Sequence, residues 1–309
     1  MTSLPHDYLP HQLHGPARSY RETNCYTDVL IELLHSQGLE PLAGLGHLVR
    51  TDFEGDQFSF FKIPQGDMER LYGVDIHEMQ PVGRLPDQIE LQLSLGRIML
   101  VEMDSYFLPD TAATDYRRNH VKSSIAVCSI DQSAQSATYL HNTGMHLLFG
   151  EDYRGIFRLD SLPDACLPPY IELARFDAGS PLAGVELCST SRDLLAAHLK
   201  LRPRSNPFAM FGERLTEDLP RLLNCKVEEF HAYAFATVRM AGAAFDLLGA
   251  HAEWLFGHPV APALLDIVKG CQILSFRLAR RRRFDFEPVL AELAASWDDA
   301  MSELERAVA

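Results

Sequence analysis

Residues 23–38 read Thr23-Asn24-Cys25-Tyr26-Thr27-Asp28-Val29-Leu30-Ile31-Glu32-Leu33-Leu34-His35-Ser36-Gln37-Gly38, and this stretch decides the reading of the chain. Tyr26, Val29, Leu30, Leu33 and Leu34 recur at helical spacing. Thr23 or Asn24 supplies a cap before the run and Gly38 a stop after it. A buried helix is predicted, with a cysteine in its first turn. Unpaired backbone N–H groups and the macrodipole favour an anion there, and the thiolate is the nucleophilic form of cysteine. The same N–H groups can hold an oxyanion when a carbonyl is attacked. Cys25 is therefore the first candidate nucleophile.

Working outward, residues 1–20 carry prolines and histidines without periodicity and read as an extended arm. Strands are expected at 57–63 (QFSFFKI), 97–103 (RIMLVEM), 124–130 (SIAVCSI), 137–140 (ATYL) and 170–176 (YIELARF). Helices are expected at 67–72 and 85–95. Beyond about residue 185 the segments 189–200, 207–224, 227–255, 261–282 and 286–307 all read as helices. The loop-like stretch at 176–181 separates two regimes: an α+β half over 1–180 and an all-helical half over 181–309.

Composition narrows the function classes. The chain has 309 residues, 47% hydrophobic and 23% charged, as in ordinary globular proteins. A net charge of −14 argues against general affinity for nucleic acid or an anionic membrane. The apolar run 232–250 contains Arg239 and Asp246, so it reads as a buried helix and not a membrane span. The N-terminus carries no signal-peptide core, and a cytoplasmic, reducing setting is expected. The six cysteines (Cys25, Cys128, Cys166, Cys188, Cys225 and Cys271) form no C-x-x-C pair, which speaks against a disulfide framework and a zinc site. No metal or cofactor is expected. Arg280-Arg281-Arg282-Arg283 is the strong charge cluster, either a solvated face or a docking patch for an acidic partner.

A cysteine nucleophile needs a general base and a group to orient it. His120 stands just before the 124–130 strand and Asn142 just after the 137–140 strand, giving the order Cys25, His120, Asn142 found in papain-like folds. His141 competes with Asn142 in the His141-Asn142-Thr143-Gly144 turn. Asp104, at the end of a strand, can orient His120 or hold a substrate amine, and Arg21 and Glu22 flank the nucleophile as polar substrate contacts.

The segments Thr23–Asp28, Val101-Glu102-Met103-Asp104-Ser105-Tyr106-Phe107-Leu108-Pro109, His120–Ile125 and Tyr139–Gly144 resemble the bacterial DUF1839 family along most of the chain. More distantly, the N-terminal half is similar to the butirosin-biosynthesis acyltransferases, papain-like enzymes that move an aminoacyl group from a carrier-protein thioester to an amine. The Asn24-Cys25 pair and the Asp104-Ser105-Tyr106-Phe107-Leu108-Pro109 run carry that match. The resemblance implies a papain-like N-terminal half, Cys25 as nucleophile, His120 as base, Asn142 as orienting group, and Asn24 beside the Cys25 N–H as oxyanion donors. It implies an acidic acyl- or aminoacyl-carrier protein as donor, docked on the arginine cluster, and a small-molecule or peptide amine as acceptor. The sequence departs from the pattern at Ser123, where the butirosin-type enzymes carry histidine, so the role falls to His120. A peptidase or amidase on the same residues, and a non-catalytic binding protein, remain as alternatives.

Overall fold

The computed structural model describes residues 7–160, 168–280 and 284–309. They form two compact units that interleave along the chain. The first comprises residues up to Gly15, Cys25–Pro41 and Gln65–Leu182; the second comprises Pro16–Asn24, Leu42–Pro64 and Ala183–Ala309.

The first unit is a mixed α+β structure. Its elements are α1 (Cys25–Ser36), α2 (Gln65–Tyr72), β1 (Asp75–Met79), α3 (Leu85–Ser94), β2 (Ile98–Asp104), β3 (Lys122–Asp131), β4 (Ser136–His141), β5 (Gly144–Phe149), α4 (Gly150–Ile156) and β6 (Ile171–Arg175). The six strands form one sheet in the order β1-β6-β2-β3-β4-β5, every neighbouring pair antiparallel.

Because side chains alternate along a strand, the pairing register assigns each residue to a face. Met99, Val101, Met103, Ile125, Val127, Tyr139, Ile171 and Leu173 share one face and make a core with Ile89 of α3 and Tyr153 and Ile156 of α4. Leu100, Glu102, Ser124, Ala126, Leu140 and Glu172 fall on the other face, which α1 covers. Tyr26 donates to Glu172 Oε2 at 2.5 Å on that side.

α1 follows the predicted helix closely. Val29, Leu30, Ile31, Leu33 and Leu34 are buried, and Gly38 ends it in the left-handed region at φ 73°, with Leu39 N donating to Leu34 O. The arm before it is partly ordered: Gln12–His14 make a short 3-10 turn. Its residues dock on the polar side of α1, where His14 Nδ1 pairs with Glu32 Oε1 and Tyr8 OH with Glu32 Oε2.

The second unit is helical, with α5 (Gly184–Leu199), α6 (Pro207–Leu222), α7 (Val227–Ala234), α8 (Met240–Phe256), α9 (Ala263–Ala279) and α10 (Glu287–Val308). A π-turn at Phe235–Arg239 joins α7 to α8, so the predicted 227–255 helix is continuous but locally under-wound. The expected strand at 57–63 is absent. Phe58 makes a single bridge to Phe53, and its N–H donates to Ala236 O. Its ring packs against Phe53, Phe208 and Phe211 at centroid distances of 5.3–5.6 Å. The aromatic run is thus a core plug for the helices with no partner strand. No helix among the described residues is long and apolar enough to cross a membrane.

Candidate active site

Cys25 is the first residue of α1 and is half-buried. Its Sγ lies 3.8 Å from Ser124 Oγ, on the sheet face that α1 covers. Ser124, a residue that strand alternation alone could have singled out, occupies the β3 position opposite the thiol. Ser123 points to the other face.

His120 and Asp104 are brought together. His120 Nδ1 and Asp104 Oδ2 are 2.6 Å apart, and Asp104 Oδ1 accepts from Tyr106 N at 3.0 Å, so both carboxylate oxygens are engaged. The imidazole also stacks on the Tyr106 ring, with centroids 4.5 Å apart and planes 11° from parallel. With Nδ1 donating to the carboxylate, Nε2 carries the lone pair and has no protein partner. The His120 side chain is 69% exposed. Asp104 lies two residues beyond Glu102, so it shares the Cys25 face at the same end of the sheet as Ser124. No hydrogen bond joins His120 to Cys25; each has its own partner.

The connection between β2 and β3 is tied down at several points. Ser105 N donates to Val121 O, Arg117 N to Tyr106 O, and Thr111 Oγ1 to Ser105 O. The Arg117 guanidinium lies over the Tyr106 and Phe107 rings and pairs with Asp152 at 2.6 Å. Gly155 of α4 lets Phe107 approach: a Cβ there would sit 2.2 Å from Phe107 Cδ1. Gly155→Ala therefore forces the 105–107 turn outward. It should destabilise the protein by about 1–3 kcal/mol, read as a lowered Tm.

The other expected site residues have partners of their own. Asn142 sits in the β4–β5 turn at φ 46°, a left-handed position that asparagine tolerates, and has no hydrogen bond to His120. His141 is buried on the face opposite Cys25. Its Nε2 lies 2.6 Å from Ser123 Oγ and its Nδ1 2.5 Å from Asp110 Oδ2, while Asp110 Oδ1 accepts from Tyr139 OH at 2.5 Å. Burial alone would raise the Asp110 carboxyl, but the His141 hydrogen bond and charge outweigh it and hold Asp110 below its usual range. Asp110 had no signal in the sequence beyond following Pro109 in a turn. Arg21, Glu22 and Asn24 belong to the second unit: Asn24 Nδ2 donates to Phe61 O at 3.1 Å, and the Glu22 carbonyl accepts from Arg239 at 3.0 Å. Cys166 and Arg281–Arg283 lie outside the described residues. Arg280 is exposed, its guanidinium 4.4 Å from the Phe276 ring centroid.

A buried polar cluster lies along the same α1 stripe as Cys25. Glu32 accepts from His14, Tyr8 and the His11 N–H, and His14 Nε2 lies 3.4 Å from Asp28 Oδ1. Burial would lower the His14 pKa, but the bonds to Asp28 and Glu32 outweigh it and push it up to about 9. His14 is thus a buried cation locked to carboxylates. Among the described residues no group of three or more His, Cys, Asp or Glu is placed to hold a metal.

The second unit has a cavity of about 220 Å³ beside Arg18 and Asp246, which pair at 2.9 Å; its lining contains no cysteine, serine or histidine.

A search of curated proteins finds no match. Family models do match: the DUF1839 N-terminal domain over residues 9–176 and the DUF1839 C-terminal domain over residues 184–306. With nearly its whole length covered by these two models, the chain belongs to the DUF1839 family.

Proposed function

We propose that the protein is a cysteine-dependent acyltransferase in which Cys25 is the nucleophile, His120 the general base and Asp104 the group that orients it. One observation carries the reading. His120 Nδ1 is held by Asp104 at 2.6 Å, which leaves Nε2 unpaired on the same face and end of the sheet as the thiol at the start of α1. A helix that opens on cysteine and packs against an antiparallel sheet, with histidine leading into a strand, also supports a papain-like relationship for the N-terminal half. Asp104 takes the orienting role that the sequence pattern gave to Asn142.

The donor in this reading is the thioester of an acidic carrier protein, met by the arginine cluster, and the acceptor is an amine. Cys25 forms a C–S bond to the carbonyl carbon while the tetrahedral oxyanion is held by α1 N-terminal N–H groups. The carrier thiol leaves with the proton that His120 received through one bridging water. The amine then attacks the acyl-cysteine and the Cys25 thiol is released. A thiol nucleophile must stay reduced, so a cytoplasmic setting is part of the same proposal. Water in place of the amine makes the site a peptidase or amidase, and mass analysis of products with candidate amines present separates the two.

The test is thioester cleavage with a loaded carrier, comparing wild type with Cys25→Ser. Wild type should accumulate an acyl adduct on Cys25 and the variant should fall to the uncatalysed rate. Equal rates in the two proteins would overturn the nucleophile assignment and favour a binding role.

A further inference from the structure

Alternation along β3 separates two serines. Ser124 faces Cys25, and Ser123 faces the opposite side, where it meets His141. The hydrogen bonds there run in one order: Ser123 Oγ to His141 Nε2 at 2.6 Å, then His141 Nδ1 to Asp110 Oδ2 at 2.5 Å. A carboxylate can only accept, so Nδ1 carries a proton; in the neutral imidazole Nε2 then accepts from the Ser123 hydroxyl. That tautomer aims a basic lone pair at the serine proton, the arrangement by which an imidazole activates an alcohol. Tyr139 OH donates to the second Asp110 oxygen at 2.5 Å and fixes the carboxylate plane. The hydrogen bonds from His141 and Tyr139 both favour the charged form of that carboxylate, as the orienting role requires.

A second, independent observation points to a ligand on the same face of the sheet. Ser105 continues the β2–β3 register, its N–H donating to Val121 O, so its side chain falls on the face shared by Met103 and Ser123. Ser105 is 1% exposed and its hydroxyl has no hydrogen-bond partner in the protein. A buried hydroxyl without a partner is costly to keep, and such groups are expected where a ligand atom completes the bonding.

We infer that Ser123, His141 and Asp110 form a second nucleophilic site, independent of the Cys25 reading, that hydrolyses short uncharged carboxylic esters. Ser123 Oγ forms a bond to the carbonyl carbon and its proton passes to His141 Nε2. The C–O bond to the alcohol breaks, and the alcohol leaves with that proton. Water then attacks the acyl-serine, with His141 again taking the proton, and the carboxylic acid is released. Ser105 Oγ is the donor available to the carbonyl oxygen. Met103, Leu108, Ile125 and Tyr139 belong to the packed apolar core on this side of the sheet, so the inference is confined to a short, uncharged acyl group.

The experiment is labelling of the full chain with a small ethyl fluorophosphonate, followed by peptide mapping. Attack by Ser123 forms a P–O bond and expels fluoride. The expected result is one adduct per chain, located on Ser123, formed at least about tenfold more slowly in Asp110→Asn. That variant keeps the shape of the side chain and spares the buried histidine. Absence of label on Ser123 in the folded protein, or labelling of Asp110→Asn at the wild-type rate, would overturn the inference. The position of the adduct decides, so the outcome is separate from that of the Cys25 thioester assay.

Discussion

Asp104→Asn is expected to lower the kcat of thioester cleavage by on the order of 10²–10⁴-fold while leaving KM and Tm close to wild type. The effect runs through the His120 tautomer. Asp104 Oδ2 accepts the Nδ1 proton of His120, and Oδ1 accepts the Tyr106 N–H. Asparagine can keep the second bond through its carbonyl oxygen, but then presents an NH₂ group to Nδ1. The imidazole must accept there, and its proton moves to Nε2, the nitrogen that the reaction needs unprotonated. Stability should barely change. The His120 side chain is 69% exposed, and an exposed pair of this kind, even when charged, contributes only about 0–1 kcal/mol. A structural role alone would show the reverse, a lowered Tm and an intact rate. Asn142→Ala is the contrast: if it lost the rate and Asp104→Asn kept it, the orienting group would be the residue in the hairpin turn.

The parts legible in the sequence are those whose physics is local. α1 announced itself by apolar spacing, by its stop at Gly38 and by the polar residues before Cys25, and each of these acts within one or two turns. The strands at 98–104 and 122–131 were visible as β-branched and apolar runs bounded by turn residues. β1, with the sequence Asp-Ile-His-Glu-Met, was invisible because it is an edge strand with one buried residue, Ile76. β5 hid for a different reason. It is the other edge, and it exposes Leu147 and Phe149 where a strand signal would call for polar residues. Phe58 misled in the opposite sense, since aromatic content does not distinguish a strand from a plug between helices.

At the site, the candidate Cys25, His120 and Asp104 could be named because each sits at an element boundary, where reactive groups are commonly placed. Their mutual arrangement was set by which face each strand residue takes, and a one-residue shift reverses that. Ser123 and Ser124 show this sharply: adjacent in sequence, they serve opposite sides of the sheet. Asp110 joins His141 through a turn whose path no periodicity encodes.

Glu32→Ala should be the most destabilising single change considered, by about 3–5 kcal/mol, and should shift the pH dependence of folding. Glu32 is fully buried on α1 and accepts from His14, Tyr8 and the His11 N–H, so its removal strands three donors at once. One of them is a cation: with its pKa raised to about 9, His14 stays protonated in the fold at neutral pH. The sign follows from the protons bound in each state. Between the unfolded value near 6.5 and the folded value near 9, the native state holds a proton that the unfolded chain has released, so stability falls as pH rises through that window. Below about 6.5 the contribution is fully present. Wild-type stability measured by chemical denaturation should therefore decline from pH 6.5 to 9, and Glu32→Gln, which keeps the shape but removes the charge, should flatten that decline. An unchanged slope in Glu32→Gln would show that His14 draws its proton affinity from Asp28 alone. The cluster also bears on the site. It fixes the arm to the side of α1 that carries Cys25, so loss of Glu32 should loosen the first turn of that helix and raise the rate at which Cys25 is alkylated at neutral pH. Amide exchange at residues 25–28 should rise in parallel with the alkylation rate if the polar cluster is what holds the nucleophile's helix in place.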